Sequence, residues 1–131
     1  MKHIITAGKR KRAVARAVLK KGKGDVRINN ISIENYSPRI AQLKIKEPLI
    51  LIGDDSKSID ISVKVEGGGV ISQADAARLA ISRALVEYNQ SNEKTLLDYD
   101  RKLLVADVRR KEARKPNTHG KARAKRQKSY R

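Results

Sequence analysis

The sequence predicts an α+β fold, a small sheet layered with helix, carrying an extended basic tail at its C-terminus. Three observations carry this expectation. Ile59, Ile61, Val63 and Val65 alternate with Asp60, Ser62, Lys64 and Glu66, the period-2 pattern of a strand with one buried face. Ala74, Ala77, Ile81, Ala84, Leu85 and Tyr88 fall on one helical stripe, with Gln73, Arg83 and Glu87 elsewhere on the helix. The last 23 residues, from Arg109 to Arg131, hold eleven Lys or Arg, one acid (Glu112) and no Val, Leu, Ile or Phe. Such a segment cannot bury enough apolar surface to offset its ordering entropy and needs an anionic partner to take a shape.

Taken in order, Met1 to Thr6 runs into Lys9-Arg10-Lys11-Arg12 too soon to form a signal peptide. Ala13 to Lys20 is open between strand and alanine-rich helix; as a strand it would place Val14, Arg16, Val18 and Lys20 on one face. Gly22-Lys23-Gly24-Asp25 reads as a turn into a strand at Val26 to Ile28. Asn29-Asn30 marks a turn or bulge before Ile31 to Ile33, and together these segments suggest an antiparallel meander. Pro38 to Lys44 and Pro48 to Ile52 are two short helices, since proline suits a first turn. Gly67-Gly68-Gly69 closes the strand at Ile59 to Glu66. The helix from Ser72 to Asn89 then starts on a capping box formed by Ser72 and Asp75. Lys102 to Val105 is a short apolar piece able to return to the sheet. The body is therefore expected to span residues 1–108 and the tail residues 109–131.

Charge separates the two parts further. Residues 8 to 27 carry nine bases and one acid, residues 28 to 108 carry ten bases and twelve acids, and the tail supplies most of the remaining excess in a net charge of +17. A near-neutral middle between two basic blocks is an arrangement for binding polyanions. The chain has no cysteine, which excludes disulfides and thiolate metal sites, and no apolar run of the roughly 18 residues a membrane span requires. Four Tyr are the only aromatics, so the core is aliphatic and small.

The candidate RNA contacts follow from chemistry. Lys9, Arg10, Lys11 and Arg12, with Arg16 beyond them, form the N-terminal group; the tetrad also has the form of a nuclear-localisation signal, but phosphate contact is the preferred reading. Gly67, Gly68, Gly69 and Gln73 lack the Lys-Ser/Thr of a nucleotide-binding loop. They read first as a tight turn, second as backbone amides meeting an RNA phosphate. In the tail, Arg109, Arg110, Arg114, Arg123, Arg126 and Arg131 can fork onto phosphates and stack on bases, while Lys111, Lys115, Lys121 and Lys125 act as point charges. Without aromatic platforms apart from Tyr130, the tail is expected to read shape and backbone rather than sequence. His3 and His119 lie far apart with no nucleophile or ligand set nearby, so neither an enzyme, a metal site nor a cofactor is expected. The rival from another class is an architectural DNA-binding protein.

Three ordered motifs then point to a known family. Gly67-Gly68-Gly69-x-x-x-Gln73-Ala74-x-Ala76-Ala77-Arg78-Leu79-Ala80-Ile81-x-Arg83-Ala84-Leu85 resembles the glycine-to-helix signature of the universal small-subunit ribosomal protein nine family. Asp107-x-Arg109-x-x-Glu112-x-x-Lys115-Pro116 and Lys121-Ala122-Arg123-x-x-x-Gln127-x-Ser129-Tyr130-Arg131 resemble its C-terminal pattern, and Gly8-Lys9-Arg10-Lys11-x-Ala13-x-Ala15 its N-terminal one. The ending and body length look archaeal or eukaryotic-cytosolic rather than bacterial.

The resemblance implies a four- or five-stranded sheet backed by helices, like ribosomal protein S-five domain two, with a left-handed β-α-β crossover. It implies a cytoplasmic, non-enzymatic constituent of the small-subunit head, bound to the 3′ major domain of the rRNA beside other head proteins and away from any membrane. It also implies a tail threading toward peptidyl-site tRNA, with Lys128, Ser129, Tyr130 and Arg131 nearest that tRNA. Tyr130 stands where bacterial relatives carry Lys, offering a hydrogen bond or stacking in place of a charge. Ser72 and Asp75 depart from the small residues usual there, and the capping box they suggest would exchange flexibility near the RNA for a better-fixed helix start.

Overall fold

The computed structural model describes residues 3–110, 112–117, 120 and 122. Strands β1 (Ile4–Arg10) and β2 (Ala13–Lys21) form a hairpin, followed by a second hairpin of β3 (Val26–Ile28) and β4 (Ile31–Ser32). Helix α1 (Arg39–Ile52) leads through a 3-10 turn at Gly53–Ser58 into β5 (Ile59–Glu66), then α2 (Val70–Tyr88) and α3 (Ser91–Tyr99). A last 3-10 turn spans Arg101–Leu103.

The five strands make one mixed sheet in the order β1-β2-β5-β3-β4. The expected antiparallel meander is corrected here, because β2 and β3 are not neighbours. β5 enters between them, antiparallel to β2 and parallel to β3. A parallel pair needs a crossover, and β4 with α1 supplies it.

Helices cover one face of the sheet only, which is why single-face alternation survives even in the central strand. Ile59, Ile61, Val63 and Val65 are buried as the sequence predicts. Ala13–Lys21 resolves as a strand, with Ala13, Ala15, Ala17 and Leu19 turned to the core and the Val14, Arg16, Val18, Lys20 row on the open face. Helix α2 lies across β1, β2 and β5. It meets them with Ala74, Ala76, Ala77, Ala80 and Ala84, and Thr6 Oγ1 donates to the Ala80 carbonyl at 2.7 Å. The small side chains let helix and sheet backbones approach closely.

Several local expectations are overturned by tertiary packing. Pro48 does not start a second helix but sits inside α1, where it leaves the Lys44 carbonyl without its usual helical donor. Ala41, Ile45 and Pro48 form one buried stripe running through the proline, and its burial outweighs the local break. Ile33 leaves β4 for a 3-10 turn, and Lys102–Val105 does not join the sheet; instead the Arg101–Leu103 turn drops Leu103 into the interior. Helix α3, unsignalled in the sequence, buries only Leu96 and Asn92, the latter donating to the Leu85 carbonyl.

The Asn29-Asn30 turn, both residues at positive φ (51° and 67°), joins β3 to β4 as a two-residue hairpin turn. The Asn29 side chain extends the sheet: its amide accepts from Val65 N at 2.8 Å and donates to Val65 O at 3.1 Å. Asn29→Asp keeps the acceptor and loses the donor, setting a carboxylate against a carbonyl. It is expected to lower unfolding stability by about 1–3 kcal/mol, read as an earlier urea midpoint; an unchanged midpoint would show that the side-chain bridge contributes nothing.

Candidate nucleic-acid interface

The β1–β2 turn consists of Lys11 and Arg12, with Lys11 in the left-handed region at φ 54°. The glycine loop packs directly on it. Gly67 and Gly68 also have positive φ (79° and 67°), and a Cβ on Gly67 would lie 2.6 Å from the Arg12 carbonyl oxygen. The close approach these two glycines permit is thus to the chain's own hairpin. Gln73 secures the loop by donating from Nε2 to the Gly67 carbonyl at 3.0 Å. Gly69 differs: a Cβ there would meet no atom within 4 Å, and it is the residue that caps α2.

Helix α2 therefore starts at Val70, two residues before the expected point, and its cap makes no side-chain hydrogen bond. The capping box of Ser72 and Asp75 does not form, because both residues already lie within the helix. Asp75 is drawn sideways instead, to Lys44 Nζ at 3.1 Å and Arg10 Nε at 3.8 Å. The proposed exchange of flexibility for a capped helix start falls with it. The first-turn amides of α2 have no intrahelical partners, and they carry the positive end of the helix dipole.

These amides border a groove of about 900 Å³ formed by the hairpin turn, the glycine loop and the root of the tail. Lys11, Arg12, Arg109, Arg110 and Arg114 line it, together with Gly68, Gly69, Ser72, Ala113 and one acid, Glu112. Residues more than forty positions apart in the chain thereby converge on one concave, cationic surface. Glu112 also meets Lys115 Nζ at 3.0 Å.

Of the other expected contacts, Arg109 lines the groove while bonding to Asp107, and the rest are placed elsewhere. Arg10 turns inward, its side chain only 19% exposed, between Asp75 and Asp107. Arg109 folds back on Asp107, with Nη2 to Oδ2 at 2.6 Å and its backbone N–H to Oδ1 at 2.9 Å. These bonds from Arg109, aided by the charge of Arg10, hold the Asp107 carboxyl well below the usual carboxylate range. The pairing is complete at neutral pH and is lost only as pH falls through that lowered value. Arg16 stands on the open sheet face opposite Lys64 and 3.6 Å from Glu66, outside the groove. Strand alternation puts Lys9 on that open face too, away from Gly8 and Arg10. Lys111, Lys121, Arg123, Lys125, Arg126, Lys128, Ser129, Tyr130 and Arg131 lie outside the described residues, as does His119.

The sequence reading missed the carboxylates that organise this end of the molecule. A second cavity of about 310 Å³, beside the groove, is walled by Arg10, Asp75, Arg78, Asp100 and Asp107 among others. Arg78 bridges Glu47 of α1 and Asp100. The Asp107-x-Arg109 spacing was the available signal, since an Asp side chain readily accepts from the backbone N–H two residues on.

The site is that of an α+β protein whose hairpin, glycine turn and basic tail root form one cationic groove at an open helix N-terminus. No helix among the described residues is long and apolar enough to cross a membrane. The chain belongs to the ribosomal protein S9/S16 family, whose family model matches residues 8–131. This is a family of structural ribosomal proteins, not of enzymes. The small ribosomal subunit protein uS9 of Thermoplasma volcanium is 54% identical over 133 residues, covering 100% of both chains. That of Picrophilus torridus is 51% identical, with 98% of each chain covered, and that of Methanococcus maripaludis is 47% identical over 134 residues, with 100% of each covered. These relatives are archaeal, in keeping with the type suggested by the chain's ending.

Proposed function

We propose that this protein is a structural constituent of the small ribosomal subunit that grips rRNA in the subunit head. In this reading its tail carries Lys128, Ser129, Tyr130 and Arg131 to the peptidyl-site tRNA. It works in the cytoplasm as part of the ribosome, beside other head proteins. The observation that supports this most strongly is the groove, where Lys11 and Arg12 from one end of the chain and Arg110 and Arg114 from the other face the open start of α2. Arginine forks and helix-terminal amides are both suited to phosphate oxygens. Among the described residues the groove has no aromatic lining, which suits it to backbone and shape rather than to base identity.

Lys111, Lys115, Lys121, Arg123, Lys125 and Arg126 are assigned to the same rRNA path, with Arg16 and Lys9 as peripheral contacts from the open sheet face. Gln73 acts by fixing the glycine loop, and Gly69 is the loop position with room for a phosphate to approach.

Subunits reconstituted with a chain lacking Ser129–Arg131 test the tRNA role. Assembly is expected to be unchanged, while peptidyl-site tRNA dissociates about tenfold faster, the equivalent of one hydrogen bond to a charged group. Unchanged tRNA retention would remove the tail end from that site. In parallel, preference for an rRNA fragment over duplex DNA of equal length separates this function from that of an architectural DNA-binding protein.

A further inference from the structure

The segment between Leu103 and the tail is pinned at two points before any RNA is present. Arg83 of α2 donates from Nε to the Leu104 carbonyl at 3.3 Å and from Nη1 to the Ala7 carbonyl at 2.9 Å, tying the segment to strand β1. Three residues further on, Asp107 is 10% exposed, although it lies in a stretch without regular secondary structure. Its carboxylate takes three hydrogen bonds from the Arg109 side chain and one from the Arg109 amide, while Arg10 Nη1 approaches it at 3.5 Å. That Arg10 nitrogen is buried and makes no hydrogen bond. The charges alternate from tail to body: Arg109, Asp107, Arg10, Asp75, Lys44. They belong in turn to the tail root, β1, α2 and α1.

We infer that Asp107 is a positioning residue, an acidic clasp that holds the root of the basic tail against β1 so that Arg110 and Arg114 enter the groove already aimed. This rests on the rRNA-binding reading of the groove. An acid beside a polyanion-binding groove is unfavourable by simple electrostatics. It is explained if the loss in attraction is smaller than the gain from ordering two rotamer-rich arginines before binding. The clasp also gives Arg10 and Arg109 a use other than phosphate contact.

The two accounts predict opposite signs for one substitution, which makes the clasp testable. Asp107→Asn is nearly isosteric and removes a negative charge, so electrostatics alone predicts tighter RNA binding. Positioning predicts binding weaker by about fivefold, the cost of ordering one to two long side chains on binding. Full-length wild-type and D107N chains are titrated with a small-subunit rRNA fragment across a salt series, and Arg109 amide exchange is followed in the free proteins. The expected result is weaker binding with an unchanged salt slope, because no phosphate contact is removed, together with faster exchange at Arg109. Equal or tighter binding by D107N overturns the clasp, as does undiminished protection of the Arg109 amide. A salt slope reduced by about one also overturns it, since that result marks a lost phosphate contact. If the wild-type chain fails to bind the fragment at all, the rRNA reading fails, and the exchange measurement still decides whether Asp107 orders the tail root.

Discussion

Gly8→Ala is expected to destabilise the body by about 3 kcal/mol, the upper end of overpacking costs, and to lower its melting temperature by more than 10 °C on the order of 4–8 °C per kcal/mol for a domain of this size. A Cβ at Gly8 would stand 2.3 Å from the Ala76 carbonyl oxygen and 2.7 Å from the Ala80 nitrogen. Both are backbone atoms of α2, so relief requires moving the helix rather than turning a side chain. That helix is held on β1, β2 and β5 together, and Thr6 already bonds it at Ala80. Gly69→Ser is the matched control. Gly69 has open space and normal backbone, and serine is a better helix cap than glycine, so stability should stay within about 0.5 kcal/mol of the parent. Urea unfolding of both proteins checks the pair. Equal midpoints for G8A and the parent would show that β1 can slide on α2 at little cost.

Removal of residues 109–131 is expected to have the largest effect on binding. Among the described residues the buried hydrophobics end at Leu103, and Asp107 stays with the body, so the truncated protein should still melt cooperatively. Its affinity for the rRNA fragment at low salt should fall by about three orders of magnitude, following the counterion release lost with six to ten phosphate contacts. The salt dependence should flatten in step. A truncated chain that binds nearly as well would shift the interface to the hairpin turn and the open sheet face. One that fails to melt cooperatively would move the body's boundary into the tail.

Elements with a single clear period were legible from the chain. β5 and α2 are each amphipathic over several turns or pleats, and both were placed within two residues of their observed limits. β1 is not legible in the sequence, because its hairpin turn is Lys11-Arg12 rather than a glycine or asparagine pair. The order of the strands was also invisible: local pattern shows that β3 and β5 are strands but carries no information on which lies beside which. At the interface, the cations and glycines could be listed in advance, but their division of labour could not. Whether Arg10 faces a phosphate or an aspartate depends on Asp75 and Asp107, which are distant in sequence and reach it only through α2 and the tail root. Pro48 shows the same limit from the opposite side, since a local helix breaker is tolerated once both flanks share one buried stripe.

The alanines where α2 meets β1, β2 and β5 have a mechanical consequence. At the alanine positions the contact has no rotamers to exchange and cannot loosen there by repacking, while Ile81 and Leu85 complete the same core. The body then behaves as a stiff plate, with the Lys11-Arg12 corner and the start of α2 set at a fixed separation. If the groove takes rRNA as proposed, such a plate would act as a gauge, favouring backbone of one spacing and curvature without reading a base. On this view RNA that is still misfolded would be refused at the groove, and the protein would favour its helices only after they reach their assembled geometry.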